Sequence, residues 1–180
     1  MPDPDISYIQ SRRLRLVPAT RPLIDADLND NPRLARLLDA RVPDNWPPDL
    51  FDGPAMQFAH RQLNDPAERG WSFWYLLGRE ADEAVLVGVC GFKGRPNAAG
   101  EVEIGYSILS QYRNAGYATE AVSRLVEWAF AHRHVTAVTA ETLPHLAQSI
   151  RVLVKNGFQH AGPGSEHGVI RLALPRSRLN

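Results

Sequence analysis

The sequence has little of what disulfide-stabilised, metal-binding or nucleic-acid-binding proteins usually contain. Its 180 residues include one cysteine, Cys90, which excludes an internal disulfide and a paired-cysteine metal site. The six histidines have no carboxylates or cysteines at metal-ligand spacing, so we expect no metal. Lys and Arg together number 20, as do Asp and Glu, so the formal charge is zero and no overall field attracts a polyanion. We expect no nucleic-acid partner, and a reducing compartment, the cytoplasm, suits the single thiol.

Long apolar runs are also missing. None approaches the roughly 20 residues that a membrane-spanning helix requires. The start, Met1–Asp5, is acidic and proline-rich where a secretion signal would be basic and then apolar. We therefore expect no contact with a membrane and no signal. The length suits one domain, 1–180, because domains usually take about 100 to 200 residues.

Periodic apolar residues predict the order of strands and helices. Alternation predicts strands at 14–16, 71–77, 84–92, 101–109, 135–141, 158–161 and 169–174. Three- to four-residue spacing predicts helices after Asn31-Pro32 and at 56–63, 117–132 and 146–156. Four prolines between 42 and 54 stop any regular element and predict a stiff, extended loop there. A turn at 78–83 is expected to join the second and third strands as an antiparallel hairpin.

The segment 111–118, between a predicted strand and the clearest helix, could bind a phosphate group. Unpaired N–H groups and the helix dipole both favour an anion at a helix N-terminus, and Gly116 would let the backbone approach a pyrophosphate closely. The segment lacks the Gly-Lys-Ser/Thr ending of a P-loop and the full Gly-x-Gly-x-x-Gly dinucleotide pattern, so a general nucleotide-binding protein is not favoured. By itself the segment also fits an ordinary tight turn.

Four segments together resemble the GNAT acetyltransferases. Arg-Asn-Ala-Gly-Tyr-Ala at 113–118 resembles the family's coenzyme A pyrophosphate loop, Arg/Gln-x-x-Gly-x-Gly/Ala. Glu-Ile-Gly-Tyr at 103–106 resembles the strand before that loop, and 149–158 resembles the later helix with its Gly-Phe exit. Arg-Arg-Leu-Arg-Leu at 12–16 resembles the first strand of the branch that includes the ribosomal-protein alanine N-acetyltransferases. The resemblance extends over roughly residues 10–175 and is specific for the superfamily, not for a substrate.

This resemblance implies an α/β fold with a mixed, mostly antiparallel sheet of about six to seven strands between helices. It implies that strands beside the phosphate loop splay apart to admit acetyl-CoA, whose pantetheine arm would pair with backbone groups at the end of the strand. The expected coenzyme-binding residues are Ile108, Leu109, Arg113, Asn114, Ala115, Gly116, Tyr117, Ala118 and Thr119.

The implied reaction is direct acetyl transfer to a primary amine, which must be neutral when it attacks the thioester. Glu103 is the first candidate for the base, since burial beside the slot could raise its pKa, and Glu101 is the reserve. A cross-strand ion pair is the alternative role for Glu103. By the resemblance, Ser149 matches a family serine that assists the leaving sulfur. The family commonly has an asparagine three residues before that serine, where this sequence has Leu146.

The sequence fits either of two acceptors, a protein N-terminus or a small amine. Trp46, in the proline-rich loop, and Trp71 and Trp74, in the aromatic strand, are candidates for contacting it. Alternation along that strand predicts that Trp71, Phe73 and Tyr75 point one way and Trp74 the other. Because of Leu146, a catalytically weak regulatory module that only binds acyl-CoA is the alternative function. A homodimer is expected from the resemblance alone.

Overall fold

One eight-stranded sheet organises the chain, as a computed structural model shows for residues 8–178. Its strands are β1 (Ile9–Gln10), β2 (Arg15–Pro18), β3 (Phe73–Glu80), β4 (Glu83–Phe92), β5 (Glu101–Ile108), β6 (Ala137–Thr142), β7 (Gln159–Pro163) and β8 (Ile170–Pro175). They lie in the order β1-β2-β3-β4-β5-β6-β8-β7, and only β5 and β6 are parallel. The predicted fold class is therefore confirmed, with one short strand, β1, beyond the expected number.

Helices cover both faces of the sheet. They are α1 (Arg21–Asn29), α2 (Asn31–Leu38), α3 (Gly53–Gln62), α4 (Tyr117–Ala131) and α5 (Ala147–Lys155). Buried residues of α1, α2 and α3 pack with Phe73 and Tyr75 in one core cluster. Buried residues of α4 and α5 pack with Trp74 and Leu76 in the other. Neighbouring residues of β3 thus face opposite cores, as side chains of a strand must.

The parallel strands β5 and β6 separate after a short stretch of pairing. Their register pairs Glu101 with Ala137 and ends where Glu103 meets Thr139. Beyond that point β5 continues to Ile108 along β4, while β6 continues to Thr142 along β8. A wedge-shaped slot therefore opens between β5 and β6 in the direction of the loop that leads into α4.

Two local predictions were wrong. The hairpin turn is shorter than 78–83, because β3 continues through Gly78 to Glu80 and only Ala81 and Asp82 lie outside the strands. Trp71 packs with Trp74 and not with Phe73, because β3 begins only at Phe73 and strict alternation does not hold before it.

The structure bears on the membrane prediction only for residues 8–178. Within this range, no helix has the length and apolar character needed to cross a bilayer. The segment Met1–Asp5, on which the absence of a secretion signal was predicted, lies outside the described residues.

Candidate active site

The loop before α4 has the conformation that an anion-binding helix start needs. Gly116 is the N-cap of α4 and adopts a left-handed conformation with φ of 82°, which glycine tolerates without strain. Asn114 is also left-handed, with φ of 60°. Among the described residues, no side chain caps the first turn of α4, so its N–H groups remain available to a ligand.

Arg13 braces this loop from the segment just before β2. Its Nη1 donates to the carbonyl of Ala115 at 2.7 Å, and its guanidinium lies 4.9 Å from the centre of the Tyr117 ring. A Cβ placed on Gly116 would lie 3.1 Å from Nη2 of Arg13, so the guanidinium lies directly beside the loop. Sequence reasoning missed this contact, because the two segments are about a hundred positions apart.

Glu120 holds Arg13 in place. Its carboxylate accepts bonds from the Arg13 backbone N–H at 2.7 Å, from Arg13 Nε at 2.8 Å and from the Ser11 hydroxyl at 2.6 Å. Burial by itself would raise the pKa of Glu120, but these bonds to the carboxylate together hold the pKa below its ordinary value. The brace is therefore fully charged at neutral pH.

Two hydroxyl groups meet across the slot on the side of α4 and α5. The phenol of Tyr106, on β5, lies 3.1 Å from the Ser149 hydroxyl on α5 and donates to the Ser149 carbonyl at 3.0 Å. Burial raises the pKa of Tyr106 to about 12, so it stays a protonated donor at neutral pH. Ser149 was a predicted site residue, whereas Tyr106 was named only as part of the strand segment 103–106. The signal for it was a phenol on an apolar strand face, which needs a hydrogen-bond partner.

The two predicted carboxylates lie on the opposite face of β5, and both form ion pairs. Glu103 pairs with Lys93, which follows β4 and donates its backbone N–H to the Glu103 carbonyl at 3.0 Å. Glu101 accepts from Arg171 Nη2 on β8 at 2.8 Å. Glu103 therefore has the cross-strand partner of its alternative role while also lying at the point where the slot opens.

Backbone groups of Ile108 and Leu109, the expected pantetheine contacts, already form hydrogen bonds within the protein. The Ile108 carbonyl accepts from Arg113 Nε at 2.9 Å, and the Leu109 N–H donates to Val87 at 3.0 Å. The Leu109 carbonyl accepts from the Tyr112 N–H at 2.9 Å. These carbonyls can contact a ligand through their second lone pairs, and the edge of β5 after Glu103 is unpaired with β6.

The proline-rich loop lies over the end of β5 and is anchored at a buried carboxylate. Trp46 Nε1 and the Tyr75 hydroxyl donate to Asp27 at 2.7 and 2.9 Å, and burial raises the pKa of Asp27. Farther along the loop, the Asp49 carbonyl accepts from the Ser107 hydroxyl at 2.7 Å. Trp46 is buried by this anchor, so it positions the loop and leaves little surface for an acceptor.

The other two tryptophans belong to the core. Trp74 is fully buried and donates its Nε1–H to the Gly70 carbonyl at 2.9 Å, while the Trp71 ring centre lies 4.6 Å from that of Trp128 on α4. Neither side chain reaches an open surface, so we do not place either at an acceptor site. Cys90 is likewise buried, and its pKa is raised by burial, which leaves an unreactive thiol.

Glu141 is a further polar residue beside the slot that sequence reasoning did not single out. It lies on β6 beyond the last pair with β5, and its carboxylate accepts from the N–H and hydroxyl of Ser165 at 2.9 and 2.6 Å. This contact ties the loop between β7 and β8 to the slot wall. Residues 8–178 contain no cluster of three or more His, Cys, Asp or Glu that could hold a metal ion.

An open groove of about 1320 Å³ lies between α2 and the β3–β4 hairpin. Its walls carry both signs of charge, and Arg41 pairs there with Glu80 and Glu83. It lacks the combination of uncapped helix start and unpaired strand edge, so we place the chemistry at the slot between β5 and β6.

Comparisons with known proteins agree with the geometry of the slot. A family model described as the acetyltransferase (GNAT) domain matches residues 13–159. YjdG of Bacillus subtilis (strain 168), an uncharacterized N-acetyltransferase, is 28% identical over 150 residues, which cover 83% of this chain and 88% of that protein.

Solved structures share the fold at low sequence identity. The ribosomal-protein-S5-alanine acetyltransferase from Vibrio fischeri has a TM-score of 0.64 and 14% identity, with 96% of this chain and 98% of that chain covered. The microcin C7 self-immunity acetyltransferase MccE, in complex with acetyl-CoA and AMP, has a TM-score of 0.63 and 15% identity, with coverages of 94% and 97%. The chain therefore belongs to the GNAT acetyltransferases, the family that transfers acetyl groups from acetyl-CoA.

Proposed function

We propose that the chain transfers the acetyl group of acetyl-CoA to a primary amine, either a protein N-terminus or a small molecule, by direct attack in a ternary complex. The observation that carries this proposal is the uncapped start of α4 at Gly116, directly beyond the slot where β5 and β6 separate. An anion-binding helix start next to an unpaired strand edge suits a ligand with a pyrophosphate and an amide-containing arm.

The residues divide into coenzyme and chemical roles. Backbone N–H groups from Asn114 to Thr119 bind the pyrophosphate, and Arg13 and Arg113 add positive charge beside them. Backbone groups of Ile108, at the end of β5, and of Leu109 hold the pantetheine arm along the slot. Acetyl-CoA supplies the activated acetyl thioester.

Side chains of the protein then take a proton from the amine and supply one to the leaving thiolate. Glu103 receives one proton from the acceptor ammonium, directly or through water, so that the amine lone pair can attack the acetyl carbonyl carbon. The new carbon–nitrogen bond replaces the carbon–sulfur bond, and the leaving thiolate takes a proton from the Ser149 and Tyr106 hydroxyl pair. The acetylated nitrogen loses its second proton to water, and water returns a proton to the hydroxyl pair. Glu101 stays the reserve base, since its carboxylate shares the face of Glu103.

An assay of thiol release from acetyl-CoA with a panel of amines tests this proposal. We expect turnover by the wild type and, for Glu103→Gln, a kcat lower by roughly 100-fold with unchanged acetyl-CoA binding. Glu127→Gln, on the exposed side of α4, is the matched control. Unchanged turnover by Glu103→Gln would remove Glu103 from the mechanism.

One observation supports the alternative function, a regulatory module that binds acyl-CoA without turnover. Leu146 is the N-cap residue of α5, and no side chain among the described residues caps that helix. Acetyl-CoA binding without turnover of any amine would favour this module over the enzyme. A cytoplasmic location and a homodimer stay predictions.

A further inference from the structure

A small polar pocket lies beside Glu103, on the face of the sheet opposite α4 and α5. It has a volume of about 240 Å³ and lies over the last pair of residues before β5 and β6 separate. Pockets for drug-sized ligands are larger, about 300 to 1,000 Å³, so this one suits a molecule of amino-acid size. Its polar lining consists mainly of Lys93, Arg95, Glu101, Glu103, Thr139 and Arg171.

The charged side chains of this lining are all ion-paired. The cations are Lys93, Arg95 and Arg171, and the carboxylates are Glu101 and Glu103. Each carboxylate already has a cation beside it, since Lys93 pairs with Glu103 and Arg171 with Glu101. Arg95 is paired outside the pocket with Asp65 and Glu68. A guest that approaches Glu103 therefore meets a carboxylate and an ammonium group side by side.

This arrangement disfavours a simple cationic amine. An alkylammonium ion would gain attraction to Glu103 but would be repelled by the ammonium group of Lys93 that is already in contact with it. An amine that also carries an anionic group avoids this penalty, because its ammonium can face Glu103 while its anion faces Lys93 or Arg171.

The existing ion pairs can be exchanged at little cost. The Lys93 side chain is 65% exposed and that of Arg171 is 34% exposed, and ion pairs at such positions contribute little to stability. A zwitterion inserted between Lys93 and Glu103 would keep both side chains paired. Removing the Lys93–Glu103 contact also frees Glu103 to accept the proton of the ammonium.

We propose that the acceptor is a small amine with a carboxylate or comparable anionic group close to the amino group, as in an amino acid. This inference rests on the proposed acetyl transfer and adds the class of acceptor. Glu103 takes one proton from the ammonium, and the nitrogen bonds to the acetyl carbon as the carbon–sulfur bond breaks. The second proton that the nitrogen loses balances the one that the leaving thiolate takes up. The acetylated product keeps its anion and has lost its cation.

Matched pairs of amino acids and their carboxamides test this inference, because the members of each pair differ by one negative charge. The measured quantity is the ratio of kcat/KM for the acid to kcat/KM for the amide, which cancels effects on acetyl-CoA binding. We expect a ratio above about ten for the wild type, falling toward one in Lys93→Gln and Arg171→Gln. Arg33→Gln, an exposed position on α2, should leave the ratio unchanged.

The outcomes separate the two proposals. Equal or faster turnover of the amides would overturn the anionic acceptor while leaving acetyl transfer intact, and so would a wild-type preference that survives both cation removals. If no amine is turned over, calorimetric binding of N-acetyl amino acids to the protein saturated with coenzyme A decides the matter. Binding of the acids but not of their amides supports the pocket, and binding of neither contradicts it.

Discussion

Nε of Arg13 lies 2.8 Å from the carboxylate of Glu120, a contact between the segment that enters β2 and the first turns of α4. The same guanidinium bonds the Ala115 carbonyl next to Gly116, so one side chain links the strand, the loop and the helix. The pair is partly shielded, with 37% and 16% of the two side chains exposed. We infer that it fixes the loop in the shape that binds the coenzyme.

Arg13→Gln should therefore weaken acetyl-CoA binding by about tenfold, corresponding to about 1.4 kcal/mol, through loss of a charge and of the loop's brace. Glu120→Gln should weaken binding less, because it loosens Arg13 without removing the cation. Calorimetry measures both affinities, with Arg12→Gln, an exposed neighbour, as the control. Partial recovery in Arg13→Lys is expected if charge beside the loop matters. Wild-type affinity in Arg13→Gln would show that the brace does not serve binding.

The hydroxyl pair predicts a loss in the chemical step only. Ser149→Ala should lower kcat by roughly 10- to 100-fold, and Tyr106→Phe by about tenfold, because the leaving sulfur loses a proton donor. Since the pKa of Tyr106 is about 12, the ratio of wild-type to Tyr106→Phe rates should be constant from about pH 6 to about pH 9. Ser123→Ala on α4 is the control. An unchanged kcat in both variants would exclude this pair from proton transfer.

Replacing Leu146 with a capping residue should stabilise the folded protein. As the N-cap residue of α5 it offers no acceptor, and it is 41% exposed, so little burial is lost on replacement. Leu146→Asn should raise the free energy of unfolding by about 0.5 to 1 kcal/mol through a capping bond. Chemical denaturation measures this change, and Leu146→Ala removes the leucine without adding a cap. Equal stability of the Asn and Ala variants would argue against capping.

Asp27 makes stability depend on pH. Its pKa is raised in the folded protein, chiefly by burial, so the folded state favours the protonated form. Stability from this group is fully present below its ordinary pKa of 3.8 and is lost as the pH rises through the raised value. The difference in unfolding free energy between wild type and Asp27→Asn should therefore shift in favour of the wild type as the pH falls from about 7 toward about 4.

Denaturation curves at several pH values measure this difference, and exposed Asp44→Asn is the control. A difference that does not vary with pH would mean that Asp27 titrates alike in the folded and unfolded chains.

Local patterns were sufficient for most strands and helices and for the strand–glycine–helix order at the loop before α4. The strand, the glycine and the amphipathic helix around Gly116 are consecutive in sequence, and the structure gives Gly116 the left-handed conformation at the start of α4. The alternation of Glu101 and Glu103 with Val102 and Ile104 likewise matches the faces of β5, where the valine and the isoleucine are buried.

Contacts between distant segments could not be predicted in this way. Periodicity along one strand does not specify which residue lies opposite it, so Lys93 beside Glu103 and Arg171 beside Glu101 emerged only from the register of the sheet. The same holds for Arg13 and Glu120, which are joined by tertiary packing. Trp71 was misplaced because alternation was extended to a residue that precedes the strand.

Calorimetric titration with acetyl-CoA of the wild type and of Gly116→Glu tests the central claim most directly. A glutamate at this left-handed position would meet Arg13 and place a negative charge at the proposed pyrophosphate site. Gly168→Glu is the matched control, because Gly168 has nearly the same φ, 83° against 82°, and a Cβ there would meet no atom within 4 Å. We predict binding by the wild type and Gly168→Glu and none by folded Gly116→Glu. Equal binding by all three proteins, or by none, would contradict the assignment of the coenzyme site.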